Sequence, residues 1–65
     1  MKIKYQLLDS REFSVKYASR RDFLRRQSVA VPEIPDSARV VMMELEGSNY
    51  PFEGTIAELF YELSK

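Results

Sequence analysis

Four arginines crowd one short stretch of the 65-residue sequence and are its side chains best suited to binding a charged partner. They are Arg20, Arg21, Arg25 and Arg26, and Lys16 precedes them. A guanidinium group can form two parallel hydrogen bonds to a phosphate, and clustered basic residues attract polyanions. The cluster therefore indicates a candidate polyanion site, with nucleic acid as its target. The alternative is a solvated helix face that binds nothing.

The arginine cluster belongs to a basic first half of the chain that is offset by an acidic second half. Residues 1–28 contain eight basic and three acidic side chains, a net charge of about +5, and residues 29–65 contain two and seven, about −5. The whole chain has no net charge. Dedicated nucleic-acid-binding domains are usually basic overall, so this balance favours the solvated face. The charge separation also allows a homodimer that matches basic to acidic surfaces.

The residue types needed for most enzyme and metal chemistry are missing. The chain contains no cysteine and no histidine, and its only glycines are Gly47 and Gly54. Thiol chemistry, disulfides, zinc sites of the Cys/His kind and glycine-rich phosphate loops are thereby excluded. Paired carboxylates could act as acid and base only in a cleft, for which a chain this short has little room. We expect a protein that is not an enzyme and has no cofactor or metal.

The same composition predicts a protein of the cytoplasm. A cysteine-free chain fits a reducing compartment. The first six residues alternate basic and apolar side chains, unlike the continuous apolar run of a signal peptide. No apolar run approaches the roughly 20 residues needed to cross a bilayer. We therefore expect no membrane segment.

The first half of the chain has the pattern of two strands followed by a helix. Apolar residues alternate with polar ones over residues 2–7 and again over 12–17, which is typical of strands with one buried face. The short connection between them favours an antiparallel hairpin. Ser19, three residues before Asp22, is suited to cap a helix that ends near Gln27.

The second half repeats this order after a proline-containing segment, residues 29–36, which predicts a loop. Residues 39–45 are apolar on both faces and predict a buried strand. A turn at 46–49, in which Gly47 and Asn49 are both able to take positive φ, leads to a short strand at 50–52. That strand contains a proline, which argues for an edge or bulge position.

The final helix is the most clearly marked element. Thr55 and Glu58 have the spacing of a capping box. The apolar residues of one helical stripe follow at i, i+3, i+4 and i+7, namely Ile56, Leu59, Phe60 and Leu63. The order of elements predicts an α+β fold, ββαββα, with a four-stranded antiparallel sheet and both helices on one face. We expect residues 1–65 to form a single domain and predict a weak internal repeat that relates residues 1–28 to residues 37–65. The alternative is that any two ββα units with capped helices look alike.

One face of such a sheet is left without helices and is a candidate interface. We expect Val40 and Met42 to be exposed there, beside Leu8 and a ring from Tyr50 or Phe52. A contiguous apolar patch of this kind marks a binding surface. The alternative is that residues 29–36 fold across this face and cover it.

Three groups of residues resemble a known family. They are Ser19-x-x-Asp22-Phe23-x-x-x-Gln27, Ile34-Pro35-Asp36 and Phe52-x-Gly54-Thr55-x-x-Glu58-Leu59-Phe60. The chain resembles a family of short uncharacterised proteins, a domain of unknown function, from streptococci and related lactic-acid bacteria. The resemblance implies a bacterial cytoplasmic protein and assigns no activity and no functional residues.

The sequence therefore leads to two functional hypotheses. The first is a non-catalytic module that binds an unknown protein partner or a second copy of itself, with Val40, Met42 and Tyr50 at the interface. The alternative is nucleic-acid binding through the basic first half and the arginines of the first helix.

Overall fold

The computed structural model describes all 65 residues and has the predicted order of elements. Two strands, β1 (Lys2–Gln6) and β2 (Glu12–Lys16), precede helix α1 (Arg20–Gln27). Strands β3 (Arg39–Leu45) and β4 (Ser48–Asn49) precede helix α2 (Ile56–Leu63). The four strands form one antiparallel sheet in the order β2-β1-β3-β4. The predicted α+β fold is confirmed.

Both helices pack on the same face of the sheet. Alternate strand residues such as Ile3 and Met43 point to this face and are essentially unexposed. They join Phe23 of α1 and Leu59 of α2 in one buried cluster. The opposite face has no helix on it, so the domain has two layers.

Each helix begins at the capping residue that the sequence predicted. The Ser19 hydroxyl accepts a hydrogen bond from the Asp22 backbone N–H. At α2 the capping box is complete, because Thr55 accepts from the Glu58 N–H and the Glu58 carboxylate accepts from the Thr55 N–H. These bonds satisfy backbone donors that an uncapped helix would leave free.

A bulge in β3 overturns the expected facing of its residues. Lys4 pairs with Met42, but Tyr5 pairs with Val40, so Val41 is an extra residue on the β3 side. A bulge shifts the alternation of side chains by one residue. Val40 and Met43 consequently both face the core, and the expectation that Val40 is exposed beside Met42 was wrong: it is 6% exposed.

The last strand is shorter and earlier than predicted. Glu46 and Gly47 both have positive φ, as in a two-residue type I′ hairpin loop, so pairing resumes already at Ser48. The predicted extent of the turn, 46–49, and the predicted strand at 50–52 were wrong, and the positive φ angles fall on Glu46 and Gly47. Beyond Asn49 the Tyr50 N–H still bonds to β3, but Pro51 has no N–H to continue the ladder.

The proline-containing segment packs on the helix side of the sheet. Ile34 is fully buried in the core cluster. The side-chain amide of Gln27 forms hydrogen bonds with both the backbone N–H and the backbone C=O of Ile34. The Asp36 carbonyl accepts from Ala57 at the start of α2. The alternative that residues 29–36 cover the open sheet face is therefore wrong.

Neither helix has the length or the apolar composition of a membrane-spanning segment. In the sheet, β1 and β3 occupy the two central positions, and β2 and β4 occupy the two edges. This arrangement is what a ββα repeat would give, and the repeat itself stays a prediction.

Candidate functional site

Two of the four clustered arginines are neutralised within the domain. Asp22 lies one turn before Arg25 and Arg26 on α1 and forms an ion pair with each, at 2.8 and 3.4 Å. Arg26 also pairs with Glu33 at 2.8 Å and stacks over the Tyr17 ring, 4.8 Å from its centroid. Much of the charge of these two arginines is therefore used inside the molecule.

The Asp22 carboxylate is the acidic centre of this network. Its hydrogen bond from Arg25, together with one from the Ala18 backbone N–H, holds the pKa of Asp22 below its usual value. The ionised carboxylate therefore persists through the neutral pH range.

The remaining basic residues of the predicted site are free of ion pairs. Arg20 and Arg21 are exposed in the first turn of α1, and Lys16 is exposed at the end of β2. None of the three has a carboxylate within salt-bridge distance. The predicted cluster thus divides into a neutralised pair and three free cations. The acidic residues of α2 do not contribute, because Glu58 serves the capping box and Glu62 accepts from Tyr50.

Tyr17 lies beneath this network, and its ionisation should make the free energy of unfolding depend on pH in the alkaline range. Burial, with Glu33 nearby, raises the pKa of Tyr17 from 10.0 to about 12, and its hydroxyl has no protein hydrogen-bond partner. The unfolded chain therefore ionises first, so the free energy of unfolding should fall as pH rises above about 10. Urea unfolding between about pH 8 and pH 11 checks this. In Tyr17→Phe the free energy of unfolding should fall less steeply with pH, whereas Tyr61→Phe, which changes an exposed ring, should keep the full dependence. An equal pH dependence in the two variants would contradict the expectation.

The open face of the sheet is mainly polar. Of the three residues predicted to form an apolar interface, only Met42 lies on it, 49% exposed. Val40 is in the core, and Tyr50 is half-buried with its hydroxyl bonded to Glu62 of α2. The neighbours of Met42 across the face are Lys4 and then Ser14. Val41, 45% exposed, lies beside Met42 in a cleft that Tyr50 also lines. The structure thus retains an apolar patch that lacks Val40 and is bordered by polar side chains.

The outer edge of β2 is a feature that the sequence analysis missed. In the antiparallel pairing of β1 with β2, Met1 exchanges both backbone bonds with Tyr17, and Leu7 bonds to Arg11. Bonded pairs alternate along such a ladder, so the odd-numbered residues of β2 direct their N–H and C=O groups toward β1. The even-numbered residues direct theirs outward, namely Glu12, Ser14 and Lys16.

This edge is open along its full length. Four of the five β2 residues are exposed, and the strand has neither a proline nor a bulge. The other edge of the sheet is interrupted, because β4 is only two residues long and Pro51 follows soon after it. Natural sheets usually protect an edge by such interruptions. No sequence signal could reveal the free edge, since it depends on β1 pairing with β3.

No group of three or more acidic side chains comes together in a way that could hold a metal ion. One cleft on the open face is lined by Lys2, Lys4, Ser14 and Glu44 together with two methionines.

Comparison with known proteins places the chain in a family. The sequence model of a domain of unknown function, DUF4649, matches residues 1–65. The chain belongs to this family. A solved structure, a conserved domain protein from Streptococcus pneumoniae TIGR4, is 28% identical, with a TM-score of 0.82 over 98% of this chain and 88% of that one. A search of curated proteins gave no match. The predicted family resemblance is thus confirmed as to a domain of unknown function, and the DUF4649 domain carries no assigned activity.

Proposed function

We propose that this DUF4649 domain is a non-catalytic protein-binding module that takes an extended polypeptide segment against the free edge of β2. The observation that carries the proposal is the row of outward N–H and C=O groups at Glu12, Ser14 and Lys16. An added strand would satisfy these groups, and its alternate side chains would meet both sheet faces. A cytoplasmic location is part of the proposal, since a cysteine-free small domain fits a reducing compartment.

Selection of binders from a random peptide library, with the purified domain at about 10 μM, tests this directly. We expect selected peptides to slow amide exchange at Glu12, Ser14 and Lys16, the residues whose N–H groups point outward. Ser14→Pro removes one outward N–H and leaves the β1 ladder intact, so it should weaken binding at least tenfold, about 1.4 kcal/mol.

Ser14→Ala is the matched control, because it keeps the N–H and should bind like the unmodified domain. Peptides that bind with equal affinity to the proline variant, or that protect amides elsewhere, would overturn the proposal. Circular dichroism of both variants checks that the fold is retained.

The placement of two arginines favours a second candidate, nucleic-acid binding. Arg20 and Arg21 stand in the first turn of α1, where the helix dipole disfavours positive charge, and neither has a carboxylate within salt-bridge distance. Phosphate binding would account for residues placed against local stability. A titration with single- and double-stranded oligonucleotides at low salt tests it, with binding expected to weaken steeply as salt is added.

Paired variants make that titration specific. Substituting Arg20 and Arg21 by alanine should abolish oligonucleotide binding, whereas the same change at Arg25 and Arg26 should reduce it less, because their charge is already shared with Asp22. An unmodified domain that binds no oligonucleotide at low salt ends this second candidate.

A further inference from the structure

We infer that the segment taken by the β2 edge is β2 of a second copy of this chain, so that two domains form a continuous eight-stranded antiparallel sheet. The two-fold axis passes perpendicular to the sheet beside Ser14. This inference rests on the proposed function, because it names the partner of the same edge. It concerns residues 12–16 and no other surface.

The backbone of β2 is suited to pairing with itself. In an antiparallel arrangement centred on Ser14, each residue i faces residue 28 − i of the other copy, so Ser14 faces Ser14 and Glu12 faces Lys16. These are the residues whose N–H and C=O groups point outward, so each facing pair can exchange two hydrogen bonds. A register displaced by two residues would face Ser14 with Glu12 or Lys16 and leave bonding groups unpaired.

The charges of the strand select the same register. Glu12 of one copy faces Lys16 of the other at both ends of the strand, and opposite charges at directly facing positions are stabilising. Within one domain the only facing neighbour of Lys16 is Lys2, a residue of like charge. Lys2 in turn faces Glu44 on β3. The second copy therefore supplies the carboxylate that Lys16 lacks.

The apolar residues of β2 fit this arrangement on the helix face. Phe13 stacks on Tyr5, with ring centroids 5.8 Å apart, yet remains 42% exposed. In the paired arrangement Phe13 faces Val15 of the other copy, and residues that face each other in a sheet share a face. The exposed part of the Phe13 ring would thus be covered together with the half-buried Val15.

Sedimentation equilibrium over a concentration range from about 10 μM to about 1 mM tests for the dimer. A five-residue strand pair is a small interface, so we expect a weak, reversible dimer. Glu12→Lys and Lys16→Glu each place two pairs of like charges across the two-fold axis and should each weaken self-association about tenfold or more.

Mixing these two variants gives the sharper result. In a mixed dimer every lysine again faces a carboxylate, so Glu12→Lys and Lys16→Glu should associate with each other although neither associates with itself. The double variant E12K/K16E should regain self-association. This rescue identifies the register, because no other pairing of the two strands restores both charge pairs.

Controls separate charge effects from folding. Glu53→Lys and Lys65→Glu make the same charge changes away from β2 and should leave the dimer intact. Glu12→Lys also removes the exposed 3.5 Å ion pair with Lys4, a small loss that a thermal melt of the monomer would reveal.

Two outcomes would overturn the inference: a domain that stays monomeric at the highest concentration, or a dimer that ignores all β2 variants. The peptide selection is performed at a concentration where the domain is monomeric. A negative result in the dimer experiment can therefore be distinguished from a negative result in the peptide selection. Peptides bound at the β2 edge of a strictly monomeric domain would retain the proposed function and remove only the second copy as its partner.

Discussion

Replacing Gln27 by alanine should lower the free energy of unfolding by about 2–6 kcal/mol. The side-chain amide of Gln27 is buried and bonds to both the N–H and the C=O of Ile34. Its removal leaves two buried backbone groups without partners, each at a penalty of about 1–3 kcal/mol. A domain of this size has a total stability of about 3–5 kcal/mol, so a large part of the population should unfold.

Urea unfolding at 25 °C measures the effect, with Arg25→Ala as the control on the exposed side of the same helix. Gln27→Glu separates hydrogen bonding from packing, since a carboxylate of the same shape cannot donate to the Ile34 carbonyl. On mild acidification the protonated acid can donate again, so Gln27→Glu should gain stability relative to Gln27→Ala. A loss below about 1 kcal/mol in Gln27→Ala would show that the Ile34 groups find other partners.

Gly54→Ala should destabilise the domain by about 2–4 kcal/mol, through backbone strain and loss of a helix cap. Gly54 has φ +144, a region that residues with a Cβ rarely adopt. An added Cβ would lie 2.8 Å from Oε1 of Glu58 and 3.3 Å from the Phe52 ring. The same Oε1 accepts from Thr55 in the capping box, so the clash would displace the carboxylate that starts α2.

Gly47→Ala is the matched comparison, because Gly47 has φ +80 but no atom within 4 Å of an added Cβ. It carries the strain without the clash and should lose only about 1 kcal/mol. Thr55→Ala reports the cap alone, again about 1 kcal/mol. Equal losses for the two glycine variants would contradict the role assigned to Glu58.

The sequence predicts those elements of the fold whose determinants are local. The caps at Ser19 and Thr55 and the apolar stripe of α2 are set by neighbouring residues, and each appears where expected. The failures arise where distant segments meet. The facing of Val40 depends on a bulge against β1, and the start of β4 depends on a two-residue loop with Glu46 at positive φ, a conformation uncommon for glutamate.

The candidate site divides in the same way. The arginine cluster is visible in the sequence, and its neutralisation by Asp22 follows from spacings of three and four along a helix. The pairing of Arg26 with Glu33 requires the loop to turn back, which no local pattern specifies. The free edge of β2 depends on the strand order, since it exists only because β1 takes β3 as its other neighbour.

The bulge in β3 has a consequence for comparing relatives across the DUF4649 family. On either side of the bulge, β3 side chains alternate between the core face and the open face. The alternation that starts at Arg39 and the one that ends at Leu45 differ by one residue, and the change falls between Val41 and Met42. Relatives that share the bulge should therefore have apolar residues at the positions equivalent to Val40 and Met43, which are three residues apart. The two positions between them should vary freely between polar and apolar residues. Relatives that have lost one residue there would instead restore a strict period of two.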